Sequence, residues 1–338
     1  MKKTEFLLLL LLSPALMRPE RGWAMPFYGG NDYKPASVYQ TGPVRAMIDA
    51  TAAFIPADKI SWTGWASTNA LGKEFNLCKG EPYYDEPWLA RCSGVLVRHN
   101  AVLTAAHCAK DCGSTKIVFG YDSTERRQRF PREQVYSCAK VVAASADDKL
   151  AQNDMALVYL DRPVSGRAPV RISAKTPTAG MRVINAGHPL NLPTKVQDNA
   201  VIKLRIPGFN SFVTDMDCFK GQSGSAIFDD EGALLGIASK VYYPGESSLF
   251  AYDERRKCNQ LVRVADGAPV VFSGDPPTAE IAALSKLNAD GTRTIPSGAV
   301  AGWAAPLLKE LFGGPSAGPL ERLPDPDALM PDFVLRPF

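Results

Sequence analysis

The chain has 338 residues, 46% of them hydrophobic and 22% charged, an ordinary globular composition with length for one large domain or two small lobes. Its 38 basic against 35 acidic side chains leave a formal charge of +3. With no basic stripe and no RNA-binding motif, that balance argues against nucleic acid as a partner.

The first predicted element is a targeting segment. Lys2 and Lys3 precede an apolar run from Phe6 to Leu12, and Gly22 and Ala24 offer a small-residue cleavage site before Met25. This is the layout of a secretory signal peptide over residues 1–24; an earlier cut after Ala15 also fits. The run is shorter than the roughly 20 apolar residues that span a bilayer, and no later segment reaches that length. A secreted or periplasmic monomer is expected, with no membrane association once the signal is cut. Residues 25–43, rich in Gly, Tyr and Pro without a clear period, read as a loose leader or prosegment.

From about Val44 to Phe272, short apolar stretches alternate with turn residues, and the 27 Gly and 27 Pro oppose long helices. Val95–Val97, Ala101–Thr104, Lys116–Phe119, Val135–Ala143, Met155–Leu160, Met181–Ala186, Val196–Ile206, Ser225–Phe228 and Ala233–Ser239 read as strands. Such spacing predicts an all-β sandwich or barrel. A doubly wound α/β fold is disfavoured, because no Gly-rich phosphate loop and no alternation with long helices is present.

Near the C-terminus, Val300, Trp303, Ala304, Leu307, Leu308 and Leu311 fall on one face at helical spacing. They predict a helix over Ala299–Phe312, capped by Ser297 and ended by Gly313-Gly314; Pro306 argues for a shorter one. Residues 313–338, with proline throughout and no repeated apolar face, read as a surface or disordered tail.

Seven cysteines in an exported chain imply disulfides and one leftover thiol. Cys92 and Cys108 flank a strand–turn–strand pattern whose folding would bring them together, and Cys112 and Cys138 can close the next hairpin in the same way. Pairings among Cys78, Cys218 and Cys258 stay open.

Three motifs carry chemistry: Leu103-Thr104-Ala105-Ala106-His107-Cys108, then Asn153-Asp154-Met155-Ala156-Leu157, then Gly221-Gln222-Ser223-Gly224-Ser225-Ala226. They supply a base, a carboxylate and a nucleophile. A serine hydroxyl needs an adjacent base near neutral pH; histidine has the right pKa range; an aspartate on the far imidazole nitrogen fixes the tautomer. The amides of Gly221 and Ser223 can converge on an oxyanion. Alone, a Gly-x-Ser-Gly is often a turn; the order of three motifs gives the weight. His99 reads as a turn residue and His188 as structural. Zinc is disfavoured for lack of a second Cys/His pair, and no cofactor or metal is expected.

These motifs resemble those of the chymotrypsin/trypsin superfamily, especially bacterial members related to glutamyl endopeptidases. The likeness rests on Cys92-Ser93-Gly94-Val95-Leu96, the His107 and Asp154 motifs, the Gly221–Ser225 loop and Gly232-Ala233-Leu234-Leu235-Gly236-Ile237, and covers about residues 75–245. It implies two antiparallel β-barrels with the active site between them: a peptidase domain over 44–312, the first barrel running to about residue 162. It implies a triad of His107, Asp154 and Ser223, a Cys92–Cys108 disulfide, and a polypeptide substrate. It places Ser239 beside Asp154, and Ser239, Lys240 and Val241 along an edge that pairs with substrate. Asp217, six residues before Ser223, would lie at the base of a pocket selecting Lys or Arg, with Lys220 near enough to neutralise it; the alternative is a structural or surface loop residue.

Two departures stand out. Gln222 replaces the aspartate that captures a new N-terminal amine in trypsin-type zymogens, so activation must differ or be unnecessary. Ala238 replaces the histidine that glutamyl endopeptidases carry there. Two rivals remain: a non-catalytic binding protein on the same fold, and an α/β-fold esterase. The order His, Asp, Ser opposes the esterase.

Overall fold

In the computed structural model the described residues are 27–143, 154–242, 250–265, 270–273, 286–295 and 298–312. The expected signal peptide and C-terminal tail lie outside them. Six apolar strands close the first barrel: β1 (Thr51–Pro56), β2 (Cys92–Arg98), β3 (Ala101–Thr104), β4 (Thr115–Phe119), β5 (Val135–Ala143) and β6 (Ala156–Leu160). Neighbours run β1-β2-β3-β6-β5-β4 and back to β1, all antiparallel. β1, β3 and β6 are buried along their whole length. Strands covered on both faces read as continuous apolar runs rather than alternations, and Ala-Leu-Val-Tyr-Leu of β6 is one.

The second barrel comprises β7 (Arg182–Gly187), β8 (Lys195–Arg205), β9 (Ser211–Thr214), β10 (Ala226–Phe228), β11 (Leu234–Tyr242) and β12 (Gly298–Trp303). Its order is β7-β8-β9-β12-β11-β10 and back to β7. This is the topology of the first barrel repeated. One apolar core, including Val95, Leu103, Phe119 and Leu157, continues across the joint to Ala226, Phe228 and Ile237. A second core of Ile202, Phe212, Ile227, Leu235 and Ala301 fills the second barrel. The all-β, two-barrel architecture expected from the sequence is the one observed.

The predicted C-terminal helix is a strand followed by a helix. Ala299–Trp303 belong to β12, between β9 and β11; only Ala304–Phe312 is helical, as α2. Helical spacing of Val300 and Trp303 was coincidental, because tertiary pairing overrides local periodicity. Pro306 sits in the first turn of α2, where its missing N–H has no intrahelical partner to lose. Leu307 and Leu308 are buried. Ser297, Gly313 and Gly314 lie outside the described residues.

Residues 27–38 are not loose. Phe27–Tyr28 pair in parallel with Arg263–Val264, and Lys34–Pro35 add to the start of β8. Phe27, Tyr33 and Ala36 are buried. The helix α1 (Gly42–Asp49) follows, with Pro43 in its first turn, and buries Met47 and Ile48.

Three disulfides brace this frame. Cys92–Cys108 closes the β2–β3 hairpin and Cys112–Cys138 ties a short helical turn to β5. Cys78–Cys258, separated by 180 residues, joins the loop before β2 to the hairpin Phe250–Leu261. Cys218 is the free thiol, and it is buried.

Candidate active site

β3 and β6 are antiparallel neighbours with Thr104 opposite Ala156. The residues leaving β3 and those entering β6 therefore overhang the same end of the sheet. A helical turn at Ala106–Cys108 presents His107 there, and Asp154 stands two residues before β6. His107 Nδ1 lies 2.7 Å from Asp154 Oδ2, and the His107 amide donates to Asp154 Oδ1 at 3.1 Å. A carboxylate only accepts, so Nδ1 carries the proton and Nε2 is left as the basic nitrogen.

The second barrel completes the carboxylate's shell. The register of β11 against β12 slips between Ala238 and Lys240, leaving Ser239 as the extra residue of a bulge. Bulges re-aim side chains, and Ser239 Oγ donates to Asp154 Oδ2 at 2.6 Å. Burial pushes the Asp154 carboxyl up. The hydrogen bond and charge of His107, the Ser239 hydroxyl and the His107 amide outweigh it and hold the carboxyl below its ordinary range.

The Ser223 loop is fixed from the first barrel by Ser93. The Ser93 amide donates to the Ser223 carbonyl at 2.8 Å. Its hydroxyl donates to the Gly221 carbonyl at 2.9 Å and accepts from the His188 amide at 2.9 Å. Gly224 (φ +81°) is pressed so close that a Cβ would stand 2.2 Å from the Ser93 carbonyl oxygen and 2.3 Å from Thr104 Oγ1. Only glycine fits this junction, which seats the serine loop against the strand leading to His107.

Within the loop the amides of Gln222, Gly224 and Ser225 are consumed by the carbonyls of Phe219, Ala238 and Gln222. The amides of Gly221 and Ser223 find no acceptor among the described residues. The structure thus brings His107, Asp154, Ser239 and the Ser223 loop to one place. On the serine side the arrangement is open: no hydrogen bond joins Ser223 Oγ to His107 among the described residues. The His107 side chain is 43% exposed and that of Asp154 16%.

The residues expected from the sequence to contact substrate sit as follows. Asp217 is fully buried; its carboxylate accepts the Asp32 amide at 3.3 Å and its own amide donates to Gln197 Oε1 at 2.9 Å. Lys220 is exposed. Lys240 and Val241 continue β11 beyond the bulge. β10 stops pairing at Ile237, so the far edge of Ser239–Val241 has no strand beside it among the described residues.

His99 is exposed, and His188 is buried. Burial pushes the His188 imidazole down to about 4, and its ring stacks on Tyr121. Cys92, His107 and Cys108 are close enough to suggest a metal cluster, but both sulfurs are spent in the disulfide and a disulfide offers no thiolate. Among the described residues no helix is long and apolar enough to cross a membrane. Sequence reasoning missed Ser93 and Gln222 as architects of the loop. The neighbours Cys92 and Ser223 marked where to look, but no local pattern reports a bond across 128 residues.

Residues 92–237 match the family model for the trypsin-like peptidase domain. The chain is 33% identical to human kallikrein-4 over 151 residues, 40% of this chain and 59% of that protein. It is 31% identical to mouse serine protease 56 over 134 residues, 36% of this chain and 22% of that protein. Mouse kallikrein 1-related peptidase b11 is 26% identical over 180 residues, 44% and 69% of the two chains. The chain thus spans less than two thirds of the length of the first two relatives. Among solved structures, human heparin binding protein aligns with a TM-score of 0.41 at 20% identity, over 64% of this chain and 86% of that one. Neuropsin, a serine protease from mouse brain, aligns with 0.41 at 19% identity, over 65% and 90%.

Proposed function

We infer that this chain, with its trypsin-like peptidase domain, is a secreted or periplasmic serine endopeptidase acting on polypeptides through an acyl-enzyme on Ser223. The observation that carries the reading is the Asp154–His107 hydrogen bond, 2.7 Å long, beside a serine loop whose two amides at 221 and 223 are unspent. His107 takes the Ser223 proton through Nε2 as the hydroxyl attacks the peptide carbonyl, then gives it to the leaving amine. The Gly221 and Ser223 amides hold the oxyanion. Water repeats the cycle on the acyl-enzyme. Asp154, kept ionised, stabilises the imidazolium. Substrate backbone pairs with the open edge at Ser239, Lys240 and Val241, and Asp217 disposes the pocket to Lys or Arg at P1. The likeness to glutamyl endopeptidases extends to the Gly221–Ser225 loop; Ala238 in place of their histidine argues against glutamate at P1.

The open serine side and the exposed His107 favour a second reading, a non-catalytic binding protein on this fold. Fluorophosphonate labelling separates the two. The wild type is expected to be labelled on Ser223 and to cleave a peptide library. Ser223→Ala is expected to be folded and to lose nearly all turnover. A folded wild type that never reacts would hand the case to the binding protein.

A further inference from the structure

The loop from Asp217 to Ser223 has its free amides set by a network that leads out of the barrels, to the N-terminal segment. Gln222 is fully buried and is the hub. Its Nε2 donates to Asn185 Oδ1 at 2.5 Å, and Asn185 Nδ2 in turn donates to Ser225 Oγ and the Ala226 carbonyl, each at 2.9 Å. Its Oε1 accepts the Phe219 amide at 3.0 Å, folding the loop onto its own side chain. The remaining lone pair of Oε1 faces the phenol of Tyr33, 2.6 Å away.

Tyr33 comes from 189 residues upstream. Its hydroxyl also lies 2.5 Å from the Asp217 carbonyl, so one proton serves the two ends of the loop. Burial, with the nearby Asp217 charge, pushes the phenol well above its ordinary range and keeps that proton in place. The same segment touches the loop twice more. The Asp32 amide bonds the Asp217 carboxylate, and the Phe27 ring meets Phe219 edge-on with centroids 4.7 Å apart. Pairing with Arg263–Val264 and with β8 fixes the segment itself.

Resting on the peptidase reading, we propose that Phe27–Tyr33 is a retained brace of the catalytic loop, with Tyr33 as a positioning residue acting through Gln222. The loop is then held in its working shape by an internal phenol, and no newly cut N-terminal amine is needed. A buried carboxylate at position 222 would call for a cation; a neutral amide is satisfied by a neutral donor, and the buried phenol is one. The segment is part of the working enzyme, not a piece to be discarded.

The test is Tyr33→Phe in the full chain, which keeps the ring against Phe219 and deletes only the hydroxyl. Loss of one ordinary hydrogen bond predicts a fall in kcat of about tenfold, with KM changed less than about twofold because the substrate edge is untouched. In a Gln222→Met background the same change is expected to cost clearly less activity, because only the contact with the Asp217 carbonyl is left to lose. Hydrogen exchange in the Ser223→Ala protein gives a readout independent of turnover: Tyr33→Phe is expected to speed exchange across 217–224 and leave the first barrel unchanged. Unchanged kcat in an active enzyme, or unchanged exchange in the loop, overturns the brace. So does a uniform rise in exchange over the whole chain, which marks a purely structural tyrosine. A wild type that never labels at Ser223 defeats the peptidase reading alone, and loop exchange still decides the brace.

Discussion

Ser93→Ala is the sharpest test of how the two barrels hold the site. The hydroxyl bonds the Gly221 carbonyl and receives the His188 amide, each at 2.9 Å, in a fully buried position. Alanine keeps the Ser93 amide and its bond to the Ser223 carbonyl, so only these two contacts go. Each leaves a buried backbone group without a partner, at about 1–3 kcal/mol apiece. A total of about 3 kcal/mol is a conservative sum. With an unfolding entropy of about 2.1 cal/mol/K per residue, each kcal/mol moves the melting temperature of a chain of 338 residues by about 1.4 °C, so a fall of about 4 °C is expected by calorimetry. Freed at its carbonyl, the Gly221–Gln222 peptide, which links the Gly221 and Ser223 amides, also loses its anchor to the first barrel. Fluorophosphonate labelling of Ser223 is expected to slow by about tenfold at a temperature where the variant is fully folded. A melting temperature within a degree or two of wild type, with an unchanged labelling rate, would refute the reasoning.

Other consequences concern single groups. Asp154→Asn presents an amide where Nδ1–H needs an acceptor and is expected to cut ester hydrolysis by about 10⁴; retention of a tenth of wild-type activity would contradict the role. Asp217→Ser is expected to weaken cleavage after Lys and Arg in a peptide-library digest, and an unaltered P1 profile would reject the pocket assignment. His188 has its folded pKa depressed to about 4 by burial, below an unfolded value of about 6.5. The unfolded chain therefore binds the extra proton as pH falls. Stability is full above about pH 6.5 and declines toward pH 4 by at most about 3 kcal/mol. Denaturant melts across that range are expected to show this slope in wild type and a flatter one in His188→Gln; equal slopes would contradict it.

Much of the frame was legible in the chain because its signals are local. Ala101–Thr104 and Val135–Ala143 were read to the residue, and most other strands to within a residue or two, since turn residues bound each apolar run. What escaped was written at long range. Ser211–Thr214, with a hydroxyl side chain at each end and only two apolar residues between, does not announce a strand and takes its place through β8 and β12. Ala299–Trp303 mimics a helix until β9 and β11 claim it. The Cys78–Cys258 pairing has no hairpin signal, because its partners are joined only by tertiary folding. In the candidate site, the motif residues stood out in the sequence because their types and order suggest a base, a carboxylate and a nucleophile. Ser93 and Asn185, from distant strands, and Tyr33, just before Lys34–Pro35, bond the Ser223 loop or its Gln222 hub, and a serine, an asparagine and a tyrosine at those places look like any others.

Cys218 sits directly after Asp217 with its side chain sealed among core residues, and burial with the Asp217 charge pushes its thiol up to about 12. So placed, the sulfur is protonated and out of reach of an alkylating reagent while the surrounding segment is closed. Each moment of reactivity is therefore an excursion of that segment, so the rate of iodoacetamide uptake at this one atom counts openings directly. The chain carries its own clock for the breathing of the segment that leads to Ser223.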